Sequence, residues 1–277
     1  MTGLSTLNDL HHITETMPGT GHRMPVFFIG HGSPMNGIEN NEFSLNWERL
    51  GAEIPTPKAV LCISAHWYTK GTAVTAMEHP QTIHDFYGFP KALFDVQYPA
   101  PGDPSLAQET VRLIKNTTVH LDHEWGLDHG TWSVVKRMYP EARIPVLQLS
   151  IDGTRGAEWH YELAKELSSL RQKGILIIGS GNMVHNLRMV DWQHQDTGYD
   201  WAIEANETFK SLIEKRDHAS LINYASLGSA VQLSIPTPEH YLPLIYALGL
   251  QNEDESVTFF NDKTLMGSVS MTSVKIS

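Results

Sequence analysis

Residues 25–35 read PVFFIGHGSPM. Val26, Phe27, Phe28 and Ile29 form an unbroken apolar run between a proline and a glycine, the pattern of a strand buried on both faces. The strand ends at Gly30, and His31 follows at once with Gly32 behind it. The arrangement recurs twice. Residues 58–64 (KAVLCIS) lead into His66 in SAHWY, and residues 174–179 (GILIIG) lead through a short glycine-rich turn to His185 in GSGNMVHN. Three histidines therefore stand just past the C-terminal ends of predicted strands. Open α/β sheets bind their ligands at that edge.

Outward from these runs, residues 144–150 read as a further buried strand and residues 72–77 as an edge strand. Residues 268–276 alternate apolar and polar, which predicts a strand with one wet face. Amphipathic spacing predicts helices over 104–116, 131–139, 157–173, 201–215 and 238–248, the first opened by the Asp103-Pro104 pair. Strands separated by helices predict an α/β fold, a central mainly parallel or mixed sheet flanked by helices. No Pro/Gly/Ser linker divides the chain, so residues 23–277 read as one domain and residues 1–22 as a loosely ordered N-terminal arm.

Composition sets limits on function. The 277 residues carry a formal charge of −11, which argues against nucleic acid or an anionic membrane as partner. No apolar run approaches the ~20 residues of a membrane helix, and the N-terminus lacks the apolar stretch of an export signal, so the reading is cytoplasmic. There are 15 histidines and one cysteine, Cys62. A disulfide framework is excluded, and any metal must be held by imidazole or carboxylate. Two further histidines are placed for chemistry: His240 in PTPEHY at a helix start, and His129 in WGLDHGTW. Residues 78–104 form a long loop rich in Pro, Gly and aromatics, and long loops in compact domains are commonly functional. Phe86, Tyr87, Phe89, Phe94 and Tyr98 either wall a pocket for an aromatic substrate or form a satellite apolar cluster.

At IGHGSPM, SAHW, GLDHGTW, GSGNMVHN and PTPEHYLPL the chain resembles the extradiol ring-cleaving dioxygenases of the LigB superfamily, within it the DOPA 4,5-dioxygenase type. The motifs stand in the same order and run from His31 to the C-terminal region. The resemblance implies a single α/β domain and a non-haem Fe(II) for activity, with Zn(II) sometimes bound in its place. It implies a catechol such as L-DOPA and O2 as substrates, and a muconate semialdehyde as product. His31, His66 and His240 match metal-binding histidines. His185 matches a histidine that is a metal ligand in some relatives and an acid/base in others, and both roles stay open. His129 matches the histidine on the substrate or oxygen side, which makes His129 and His185 the catalytic pair. Relatives acting on protocatechuate use a glutamate as third ligand. Glu239 stands beside His240, so either can complete the shell.

Two other classes use such residues. A metal-dependent zinc hydrolase carries Asp or Asn bridging ligands at its first strand ends, where this chain has only Gly30-His31. A non-catalytic zinc protein closes its shell, here with His31, His66, His185 and His240.

Overall fold

Alternate residues of each apolar run turn to opposite faces of one sheet, and this divides the interior in two. Val26, Phe28, Leu61, Ile63, Leu147, Leu149, Ile175 and Ile177 belong to one buried cluster, whereas Phe27, Ile29, Val60, Cys62, Val146, Leu176 and Ile178 belong to another. The computed structural model describes residues 23–193 and 195–277, so the arm read over 1–22 lies outside the described residues.

The elements are β1 (Val26–Gly30), α1 (Glu42–Glu53), β2 (Ala59–Thr69), β3 (Thr72–Thr75), α2 (Lys91–Phe94), α3 (Pro104–Leu113), β4 (Val119–Asp122), α4 (His129–Met138), β5 (Val146–Asp152), α5 (Ala157–Glu166), α6 (Ser168–Gln172) and β6 (Ile175–Gly181). They continue with α7 (Asp200–Glu214), α8 (His218–Ile222), α9 (Ser229–Ser234), α10 (Leu242–Gly249), β7 (Val257–Phe260), the small pair β8 (Thr264–Leu265) and β9 (Val269–Ser270), and β10 (Ser273–Ile276). Among the described residues the main sheet has eight strands in the order β4-β3-β5-β2-β6-β1-β10-β7. Its centre, β5-β2-β6-β1, is parallel; β10 and β7 add antiparallel strands at one side, and β3, antiparallel to β5, carries β4 at the other. The result is a single α/β domain with a mixed sheet between helices. The helix start read at Asp103-Pro104 is capped as expected, Asp103 accepting from Leu106 N–H; α4 begins at His129 rather than Thr131, with Asp128 accepting from Thr131 N–H.

Four local expectations are corrected. The strand β3 is interior, flanked by β4 and β5. The helix read over 157–173 breaks at Leu167 into α5 and α6. The segment 268–276 has no wet face: Ser268, Ser270, Thr272 and Ser273 are all buried. The hydroxyls of Ser268, Thr272 and Ser273 serve the chain itself, as where Ser273 Oγ accepts from Gly30 N–H at 3.0 Å and donates to Met271 O. Finally, β2 does not stop at Ser64 but runs to Thr69 through an irregularity. Ile63 faces Leu149 and Tyr68 faces Ile151, so four residues of β2 lie opposite the single Ser150. Such bulges bend a strand and re-aim a side chain. The re-aimed stretch contains His66.

Candidate active site

Register brings the first ligand candidates together. Ser180 of β6 pairs with Ile29 of β1 on one side and Ser64 of β2 on the other. His31 and His66 thus emerge on either side of Ser180. Their Nε2 atoms lie 3.1 Å apart. Two imidazole lone pairs that close repel one another unless a proton or a cation lies between them. His240 comes in from a turn seated on β6, where a side chain at Gly181 would meet His240 O at 2.1 Å. Asn182 N–H donates to that same carbonyl at 2.9 Å. Glycine at 181 is therefore required by the close approach of the turn.

The donor atoms of His31, His66 and His240 lie within 4.8 Å of one another. Two further groups share members with it: His66, Asp85 and His129, and His185, Glu239 and His240. The four imidazoles read from the sequence as metal ligands fall into two of these groups, joined through His240. His185 lies with its ring parallel to that of His240, centroids 3.5 Å apart. Glu239 stands on the same side, Oε1 at 3.4 Å from His240 Nδ1. His129 is the first residue of α4, and its ring lies 3.8 Å from that of His66.

Polar neighbours fix ring orientations. Ser180 Oγ donates to Gly130 O at 2.6 Å, so it can only accept from His31 Nδ1 at 3.0 Å. That holds His31 with Nδ1 protonated and Nε2 bare. Asp85 stands against two further rings without an aligned side-chain hydrogen bond to either. Its Oδ2 lies 2.9 Å from His129 Nδ1 and 3.3 Å from His66 Nδ1, and its Oδ1 accepts from His129 N–H at 2.9 Å. Behind them Asp128 accepts from Ser64 Oγ, Gln148 Nε2 and Thr131 N–H.

Burial controls the charge of the cluster. It holds His31 and His240 well below the ordinary imidazole range, with the neighbouring rings adding to the effect. Burial and His129 bring His66 to about 3 against the pull of Asp85, and they bring His185 to about 4. These rings are neutral at pH 7 and carry free lone pairs. For Asp85 burial acts upward, but His129 and His66 overcome it and hold the carboxyl below its usual value. The Asp128 carboxyl is raised by burial and by Asp85.

The aromatic loop divides the two readings of it. Phe86 meets His129 edge-on at 5.7 Å and packs with Phe89 at 5.5 Å and Phe94 at 5.0 Å. These three rings stand beside the site, and Phe86 and Phe89 also pack on the second core cluster. Tyr98 turns into the core, its hydroxyl on Tyr139 O, and Tyr87 is 92% exposed, so neither walls a pocket. His84 contacts Val96 O through Nε2 and ties the loop to itself.

The residue missed by sequence reasoning is Asp85. It sits in HDFYGFP, and only the length of the loop pointed to it. Ser180 was visible only as part of a glycine-rich turn. In fact β6 runs straight through that stretch.

Residues 20–273 match the family model described as the catalytic LigB subunit of aromatic ring-opening dioxygenase. The chain belongs to the LigB family. It is 49% identical over 261 residues to an Escherichia coli K12 protein named 4,5-DOPA dioxygenase extradiol, covering 92% of this chain and 95% of that one. Proteins of the same name from Mirabilis jalapa and Beta vulgaris are 37% and 34% identical, covering 81% and 91% of this chain and 85% and 96% of theirs. A crystal structure of an uncharacterized E. coli K12 protein superposes with a TM-score of 0.81 at 45% identity, covering 92% of this chain and all of the other. This LigB-family protein is an extradiol ring-opening dioxygenase, and the hydrolase and closed-zinc readings are not favoured. The family works with a non-haem metal, an aromatic small molecule and O2, and the neutral nitrogen donors here suit such an ion. No helix among the described residues is long and apolar enough to cross a membrane.

Proposed function

We propose that this enzyme cleaves L-DOPA, or a catechol closely similar to it, beside its diol to a muconate semialdehyde. We further propose that Fe(II) is the working metal, that Zn(II) can occupy the same place, and that His31, His66 and His240 are its core ligands. The observation that carries this reading is the 3.1 Å approach of the His31 and His66 Nε2 atoms with a third imidazole within reach. Fe(II) held by these residues would supply Lewis acidity toward a phenol and a redox path between the aromatic ring and O2.

The chain's own residues supply the rest. Phe86, backed by Phe89 and Phe94, offers a flat apolar wall for a phenolic ring. His185 and His129 are the acid/base pair. His185 is neutral at pH 7 because burial and His129 lower it, so it can accept the second phenolic proton. His129, whose Nδ1 faces Asp85 Oδ2 at 2.9 Å, handles the proton required when the ring opens. Ligation of a metal by His185 from the His240 side would occupy the one lone pair that this base role needs, so His185 is assigned here to proton transfer. A cytoplasmic setting belongs to the same proposal, supported by the free buried thiol of Cys62.

The experiment is direct. Protein reconstituted anaerobically with Fe(II), then given L-DOPA and air, is expected to take up one O2 per catechol and to develop the yellow semialdehyde absorbance. Failure with L-DOPA but success with another catechol would overturn the substrate, and failure with every catechol would overturn the metal assignment.

A further inference from the structure

A histidine that binds a metal must turn one nitrogen's lone pair to the ion, and the other N–H needs an acceptor to fix that tautomer. Around His31 the acceptor is Ser180 Oγ. For His66 and His129 the structure offers one group between them. Asp85 Oδ2 lies 3.3 Å from His66 Nδ1 and 2.9 Å from His129 Nδ1, although with the rings as they stand neither contact is aligned as a hydrogen bond, so the alignment belongs to the metal-loaded site. Asp85 Oδ1 accepts the His129 backbone N–H at the start of α4, where the helix dipole favours an anion. The other buried carboxylate nearby, Asp128, is committed to Ser64, Gln148 and Thr131. A side chain at Gly130 would strike His66 Cδ2 at 2.9 Å, so α4 is brought against His66 as closely as its backbone allows.

We propose that Asp85 is a positioning residue that sets two tautomers with one carboxylate, leaving Nε2 bare on His66 as a metal donor and on His129 as a proton acceptor. The inference rests on the donor set proposed above. Asp85 is followed in sequence by Phe86, whose ring meets His129 edge-on. Seating this one loop therefore orients a ligand, a proton carrier and the substrate wall together.

The test has a readout independent of turnover. In zinc-loaded protein, long-range nitrogen–proton NMR is expected to show His66 and His129 both protonated at Nδ1. Asp85→Asn is expected to keep one zinc per chain, to bind it about 10- to 100-fold more weakly, and to lose the Nδ1–H preference of His129. With iron, its kcat should fall at least tenfold while KM for the catechol stays within about threefold, as for a group acting in the chemical step. Asp85→Glu should recover part of both losses, which a merely unfolded variant would not. The proposal is overturned if wild-type His66 or His129 carries its proton on Nε2, or if Asp85→Asn leaves zinc affinity and tautomers unchanged. It is also overturned if a cobalt-substituted sample loses an oxygen ligand in Asp85→Asn, which would make Asp85 a ligand. Retention of full zinc affinity by both His31→Ala and His240→Ala would instead sink the donor set, whatever the tautomers.

Discussion

The two ends of β1 and β6 each bury a polar cluster, and the clusters are built on opposite plans. At the N-terminal ends lies Arg171, fully buried. Its Nε donates to Met24 O, and its Nη1 donates to Leu250 O and Glu255 Oε2. Its Nη2 pairs with the other oxygen of Glu255. Every donor arm contacts an acceptor supplied by the chain. At the C-terminal ends the Nε2 atoms of His31 and His66 stand 3.1 Å apart, and Asp85 and His129 face one another without an aligned hydrogen bond. A closed polar cluster specifies the packing of its neighbours, whereas an open one waits for a ligand.

The contrast can be broken at either end. The largest effect expected is on activity: His240→Ala should cost about a thousandfold or more in ring cleavage, because a lost metal forfeits several kcal/mol of transition-state stabilisation. Metal content and O2 uptake measured on the same sample check this. At the opposite end Arg171→Met should leave Glu255 buried without its partner and cost about 3–5 kcal/mol in urea denaturation, while the folded fraction keeps its kcat. If His240→Ala proves the more destabilising of the two in metal-free protein, the contrast is wrong.

Smaller effects sharpen it. Ser180→Ala removes the acceptor that orients His31 and should weaken zinc binding about tenfold with little change in unfolding. The pH dependence of metal-free stability should separate the two clusters. His66 and His185 are lowered in the folded state to about 3 and about 4. The unfolded chain therefore binds more protons below the ordinary histidine pKa, near 6.5, and stability should fall as pH drops through the range 6.5 to 4. For Glu255 burial acts upward, but Arg171 and Asn252 override it and hold the carboxyl at about 2. Its contribution is present above its unfolded value of 4.5 and is lost as pH falls from there toward 2. Denaturation series on His185→Ala and Arg171→Met should each flatten one of these two limbs.

How much of this was legible in the sequence follows from what each residue type can signal. Unbroken apolar runs expose the central strands, and a histidine straight after such a run exposes His31. The later part of β2 was not legible, because Ala65, His66 and Trp67 leave the regular pleat in an irregularity that no periodicity records. The helix α1 passed unread although Asn41 and Ser44 form a capping box at its start. The serines and threonines of 268–276 mimic a wet strand face, yet they are buried, with Ser268 and Ser273 bonded to backbone and Thr272 to Asp262. Asp85 was hidden for a different reason. A carboxylate on a loop carries no sign of the two rings it will meet, since those come from β2 and α4.

The turn that carries His240 has a consequence for the order of events during synthesis. The first two imidazoles of the donor group leave the ribosome early, on the first two strands. The third arrives only with the segment that leads into α10, a helix buried along its whole length against β6. A nascent chain halted before Pro236 holds β1, β2 and β6 but lacks His240, the third imidazole of that group. The three-histidine group can therefore form only late in synthesis, after the strands that seat its last member have been made.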